Sequence, residues 1–214
     1  MNEEVSIIDS KTRNERIKNF FQKNKKTLIF TIVIFIVSLI SFYTFQIFKD
    51  KKKVLISNKY NTAIIEYNDL NKAQTTSDLI EVIDDQDSTY SPLALYFIID
   101  NNLIDDRAKI NELFDILINI RSLESEIKNL IIYKKGLFNA DHVSESQILK
   151  ILNPIINSGS VWKSHALYLV AEYFYSKNEK QKSKEFYDQI LLTENANQDI
   201  RKEAQKRLNR DLSD

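Results

Sequence analysis

Hydrophobic and polar positions divide the chain into one long apolar block and a series of short amphipathic stripes. The block is Thr27–Phe48, TLIFTIVIFIVSLISFYTFQIF, 22 residues without a charge. At a rise of about 1.5 Å per residue, a helix of that length spans a hydrocarbon core of roughly 30 Å. Its β-branched residues suit an exposed soluble helix poorly. In lipid they cost little, because hydrocarbon forces every backbone group into internal hydrogen bonds. Lys25 and Lys26 close one end; Lys49, Lys51, Lys52 and Lys53 close the other, and Tyr43 falls toward that interface. A cleaved signal sequence has a shorter apolar run ending in small residues. Here Phe48-Lys49-Asp50 follows, so the pattern predicts an uncleaved single-pass anchor over 27–48, a tail over 1–26 and a domain over 49–214.

Beyond the anchor the apolar period is helical throughout. Lys53–Ala73 predicts a first helix, carrying Leu55, Tyr60, Ile64 and Tyr67 and able to continue the membrane helix outward. Gln74–Ser77 reads as a polar break, with Ser77 capping a short helix, Asp78–Ile83, before an acidic loop, Asp84–Thr89. Ser91-Pro92 predicts a helix start with Ser as the cap and Pro at the first helical position, running to Asn102. Further helices follow after Asp105-Asp106 to about Ile120 and from Leu123 to Asn139. Ser144-x-x-Gln147 is a capping box opening another, which Pro154 can kink and Gly159 ends. Trp162–Lys177, Glu179–Leu192 and Asp199–Leu212 complete the set. Short polar turns between such helices predict stacked antiparallel pairs.

Composition sharpens this picture. The 214 residues contain two Gly and two Pro, which argues against an all-β fold and leaves no glycine-rich phosphate loop. There is no Cys, so disulfides, thiolate metal sites and cysteine nucleophiles are excluded. Lys plus Arg equals Asp plus Glu at 30 each, so no net field favours nucleic acid. Seven basic residues from Lys11 to Lys26 precede the anchor and five from Lys49 to Lys59 follow it, a balance that favours the N-terminus inside. The cluster Lys51-Lys52-Lys53 pulls the other way. The tail reads as a solvated segment, with Ile17, Phe20 and Phe21 able to lay its end on the membrane surface.

Ser164–Asn197 is the clearest repeating unit. Ala171, Ser183 and Tyr187 follow the spacing of a tetratricopeptide repeat: a small residue, another twelve later, and an aromatic four beyond. Small residues let two helices approach and the aromatic fills the gap to the next pair. Ser91–Ile120 and Leu123–Asn157 look like more degenerate units. The order of Ser91-Pro92-Leu93-Ala94, Leu152-x-Pro154 to Gly159-x-x-Trp162-x-x-x-Ala166, the repeat through Tyr187 and Arg201-x-x-Ala204-x-x-Arg207-Leu208 resembles a known family over essentially the full length. These are the single-pass inner-membrane proteins of Gram-negative bacteria with a periplasmic tetratricopeptide-like domain, ancillary subunits of the Sec translocon. The resemblance implies an all-α fold, one transmembrane helix followed by an α-solenoid. It also implies a cytoplasmic N-terminus, a periplasmic domain, and contacts with translocon subunits, periplasmic chaperones and emerging secreted chains.

No constellation for catalysis emerges. His142 and His165 are the only histidines and have no close ligand partner, and the serines lack a G-x-S-x-G turn. We therefore expect no catalytic residue, cofactor, metal or small-molecule substrate. The expected binding face is that of the first helix of the Ser164 unit: His165, Tyr168, Glu172, Tyr175 and Ser176 occupy positions that line the concave groove in tetratricopeptide arrays. Trp162 reads as a wedge between repeats, and Gly136 as a close helix crossing. The same architecture suits a scaffold for another envelope machine, such as cell division or outer-membrane assembly. A membrane-tethered hydrolase is the alternative of a different class.

Overall fold

The computed structural model describes residues 15–212, so the first part of the basic tail, 1–14, and the last two residues lie outside it. The described residues are all-helical, with no strand among them. They fall into two compact units, Met1–Leu55 and Ile56–Asp214.

In the first unit, residues 15–23 are helical. After a turn at Asn24, helix α1 runs from Lys25 to Ile65 without interruption. It contains the whole expected anchor and is the one helix among the described residues long and apolar enough to cross a membrane. Its large side chains point outward: Phe35 is 63% exposed and Phe45 67%. Its hydroxyls turn back on their own helix. Thr31 donates to the Thr27 carbonyl at 2.9 Å and Thr44 to the Ile40 carbonyl at 2.7 Å, so neither hydroxyl needs an outside partner.

The second unit holds two hydrophobic cores. The first gathers Ile56 and Ala63 of α1 with α2 (Lys72–Asp84), α3 (Tyr90–Asp100) and α4 (Arg107–Ile118). The second gathers α6 (Glu145–Ile156), α7 (Lys163–Ser176), α8 (Lys180–Leu192) and α9 (Gln198–Asp211). Between them lies α5 (Ser125–Asn139), which gives Ile131 to the first core and Ile132 to the second. From α2 onward, consecutive helices pack on each other, most extensively α7 on α8 and α2 on α3. α3 thus packs more on α2 than on α4, whereas the repeat spacing had grouped α3 with α4.

Each of the three tightest neighbours meets at a small residue. Ser91 of α3 and Ser183 of α8 are fully buried, and their hydroxyls donate to the carbonyls of Val82 at 2.7 Å and Ala171 at 2.9 Å. Gly136 of α5 faces Leu152 of α6 so closely that a Cβ at 136 would lie 2.6 Å from Leu152 Cδ2. The expected close crossing at Gly136 is therefore present.

Turn chemistry explains how a chain with two glycines makes so many helix ends. Asn102 and Asn178 adopt φ of 48° and 61°, the left-handed conformation that usually calls for Gly. Behind Asn178, the Glu179 amide donates to the Phe174 carbonyl and the Asn178 amide to that of Tyr175; Leu103 and Asn102 repeat the pattern on Ile98 and Ile99. These are Schellman caps with Asn in the glycine position. Neither Gly136 nor Gly159 has positive φ, and α6 closes three residues before Gly159.

Three local expectations need correction. Gln74–Ser77 is helix, not a break, and Ser77 caps nothing. The break lies at 66–71, where Asn68 and Asn71 side chains both donate to the Glu66 carbonyl and accept the amides of Leu70 and Asn68. Those amides offer the backbone an alternative to the helix, while Thr76 and Gln74 bond within theirs. Ser91 does not cap α3 either: Asp87 Oδ1 accepts the amides of Thr89 and Tyr90 at 2.8 Å each, leaving Ser91 for the buried bond to Val82. The Ser144–Gln147 box opens α6 as expected, with Gln147 Oε1 accepting the Ser144 amide at 2.9 Å.

Candidate binding site

The five residues expected on one binding face divide among three environments. α7 buries Ala166, Leu167, Val170, Ala171 and Phe174, which turns the stripe Tyr168, Glu172 and Tyr175 toward α9. There Arg207 reaches across. Its Nε donates to Glu172 Oε1 at 2.7 Å, and Nη2 donates to Oε2 in a bidentate pair. Its Nη1 donates to Asp211 at 2.7 Å, and its guanidinium lies 4.9 Å over the Tyr175 ring. The Tyr187 hydroxyl also donates to Glu172, and Tyr168 packs edge to face on Tyr187 at 5.5 Å. The Arg207 and Glu172 side chains are only 18% and 31% exposed, so the pair is sheltered.

Charge in this cluster is fixed. Burial pushes the Glu172 carboxyl up, but hydrogen bonds from Arg207, Tyr187 and Tyr168 and the Arg207 charge outweigh it and hold the group below its ordinary value. Burial, with the Glu172 carboxylate, pushes the Tyr187 hydroxyl far up. The Arg210 hydrogen bond, with Arg207, holds Asp211 well down. These are the shifts of a structural ion-pair clamp.

His165 belongs to a separate aromatic cluster. Trp162 stacks on Tyr133 at 5.8 Å and 19°, and His165 lies 5.1 Å from Trp162. Trp162 thus sits between α5 and α7, as a wedge would. Burial lowers the His165 pKa, the Val161 carbonyl opposing it by less, and its buried Nδ1 meets no hydrogen-bond partner. Burial thus favours the uncharged imidazole. Ser176 is exposed and donates to the Tyr173 carbonyl of its own helix at 2.7 Å.

A groove of about 540 Å³ lies elsewhere, across α4, α5 and α6. Ile118, Ile132, Val143 and Ile151 give it an apolar lining. At one wall, Asn111 and Asn139 exchange amide hydrogen bonds at 3.0 and 2.8 Å. At another, Lys135 pairs with Asp115 at 2.6 Å. Lys150 and Gln147 stand exposed at the α6 rim, and the Tyr173 hydroxyl ties α7 to the Val143 carbonyl at 3.0 Å. Gly136 draws α6 down onto α5 and so shapes one side of the groove. Apolar periodicity alone did not reveal this site. The available signal was Asn139, an amide continuing the helical stripe of Ile132 and Gly136, and the structure leaves it only 2% exposed.

Among the described residues no three His, Asp or Glu side chains gather as metal ligands. No family model, curated protein or solved structure matches the chain.

Proposed function

We propose that this chain is a membrane-anchored protein-binding module. In this reading Thr27–Phe48 holds it in the bilayer, and the paired helices of the second unit form a tetratricopeptide-like solenoid whose α4–α6 groove receives an extended segment of another protein. The groove carries the proposal. Its size is that of sites enclosing a few side chains, its lining is apolar, and its exposed cation, Lys150, favours an apolar segment with an acidic residue beside it. Binding draws on apolar burial at roughly 25 cal/mol per Å², and the anchor raises the local concentration of partners at the same membrane. No covalent bond changes.

The layout of tail, anchor and helical domain further supports a role beside a secretion channel. The partners are then translocon subunits, periplasmic chaperones or emerging secreted chains, with the N-terminus in the cytoplasm and the domain in the periplasm. The excess of basic residues before the anchor favours that direction.

Site-specific photocrosslinking in cells tests both parts. Probes at Ile118 and Lys150 read the groove, a probe at Tyr168 reads the α7 face, and one at exposed Lys180 is the control. Adducts to translocon or exported proteins at both groove positions are expected, with the yield at Ile118 weakened severalfold in a Lys150→Glu background. Groove yields no higher than at Lys180 would sink the binding site. Adducts to cytosolic proteins would reverse the orientation, and adducts confined to another envelope complex would move the function there.

A further inference from the structure

Every side chain from Glu15 to Lys23 is exposed, and the helix they form has two faces. At 100° per residue, Ile17, Phe20 and Phe21 share one side. Arg16 and Lys18 border it, and Glu15, Asn19 and Gln22 lie opposite. The Phe20 and Phe21 rings meet edge to face at 6.1 Å and are each 57% exposed. From 15 to 32 there are five cations, Arg16, Lys18, Lys23, Lys25 and Lys26, against one acid, Glu15.

The break at Asn24 adds a pocket. The Asn24 side chain and amide both donate to the Phe20 carbonyl at 3.0 Å, which fixes the turn. Beside it, Phe21 and Gln22 on one segment and Lys25, Leu28, Ile29 and Ile32 on the other line an open groove of about 380 Å³. An apolar groove with Lys25 in its lining and four further cations in the adjoining chain, next to a helix able to cross a bilayer, matches one ligand in both its parts.

We infer that this elbow binds an anionic phospholipid. An acyl chain lies against Phe21, Leu28, Ile29 and Ile32. The phosphate meets Lys25, and Arg16, Lys18, Lys23 and Lys26 supply the surrounding field. Ile17 and Phe20 enter the leaflet alongside. Two weak signals, apolar insertion and a basic cluster, combine into one stable attachment. The inference rests on the reading of Thr27–Phe48 as a membrane anchor, and the test separates the two.

The 214 residues include no cysteine, so Phe20→Cys and Ile36→Cys can each carry a single environment-sensitive fluorophore. Each labelled protein is reconstituted in phosphatidylcholine vesicles containing equal fractions of brominated phosphatidylcholine or brominated phosphatidylglycerol. The Ile36 probe is expected to be quenched equally by both. The Phe20 probe is expected to be quenched about threefold more by the glycerol lipid. That preference should vanish in roughly 0.5 M salt, and in Lys18→Gln/Lys23→Gln/Lys25→Gln. Equal quenching at Phe20, with Ile36 still quenched, overturns the lipid site and leaves the anchor. A preference that survives both salt and the glutamines also overturns it. An Ile36 probe that neither lipid quenches overturns the anchor itself.

Discussion

In the α2–α3 hairpin the buried hydroxyl of Ser91 donates to the Val82 carbonyl; in the α7–α8 hairpin the buried hydroxyl of Ser183 donates to that of Ala171. The crossings are alike, but the surroundings differ. Around α2 and α3 the core is mainly aliphatic, and the ion pair nearby, Lys59 with Glu81, is on the surface. Around α7 and α8, sheltered polar side chains tie one segment to another: Glu172 to Arg207 and Tyr187, Tyr173 to the Val143 carbonyl, and Ser164 to the Asn197 amide. Aliphatic burial decides that helices pack, since it is strong but non-directional. Polar ties decide which residues meet, because they work only over short distances and limited angles. The α7–α9 end is therefore the more exactly positioned half, and the α1–α4 end the more purely hydrophobic one.

The largest expected effect tests whether the halves fold together. Leu95→Ala empties a fully buried position in the aliphatic half and should cost about 3 kcal/mol. Because α5 feeds both cores, urea unfolding of the full chain in detergent should shift as one transition. Two separable transitions, only one of them moved, would break the comparison into independent domains.

Next comes the clamp. Arg207→Ala leaves Glu172 half-buried without its cation and should cost about 2 kcal/mol, less than for a fully buried pair. The sign with pH is definite. Glu172 titrates below its ordinary value in the folded protein, so its stabilisation is full above about pH 4.3 and drains away as pH falls through its folded value. Without Arg207, burial dominates and that acid loss should disappear or invert. Unchanged acid unfolding in the variant would show the clamp to be incidental.

Gly136→Ala places a methyl against Leu152 and should cost about 1.5 kcal/mol, largely relieved by a second change, Leu152→Val. Additive losses in the double variant would show that the crossing is not set by that contact. The smallest effect separates turn from core. Asn178→Ala should cost about 1 kcal/mol through its positive φ, while Asn178→Gly should be neutral or stabilising. Equal losses for both would mean that the side chain, not the backbone, carries the turn.

Much of the helical order was legible because apolar residues recur at helical spacing. Ala171, Ser183 and Tyr187, singled out from their spacing alone, are all fully buried in the second core. The break after α1 was misplaced by several residues. Four hydroxyl and amide residues in a row look like a turn, yet Thr75 is buried and Gln74 and Thr76 bond within the helix. The asparagines that do end α1 act through side chains folding onto nearby backbone, which composition does not show. For the binding face, the stripe on α7 was visible but its covering was not. Arg207 lies 35 residues from Glu172, and only the packing of α9 on α7 brings them together. The α4–α6 groove was missed for the same reason, since its walls come from three helices.

The asparagine caps also bear on how the protein ages. An asparagine loses its amide when the next residue's backbone nitrogen attacks the side-chain carbonyl and closes a five-membered ring. At Asn102 and Asn178 that nitrogen belongs to Leu103 and Glu179, and each is already committed to a carbonyl five residues back, Ile98 and Phe174, at 2.9 Å. The hydrogen bonds that end the two helices also hold the attacking atom away from its target. These turns thus keep asparagine's tolerance for left-handed backbone while suppressing its characteristic route of chemical decay.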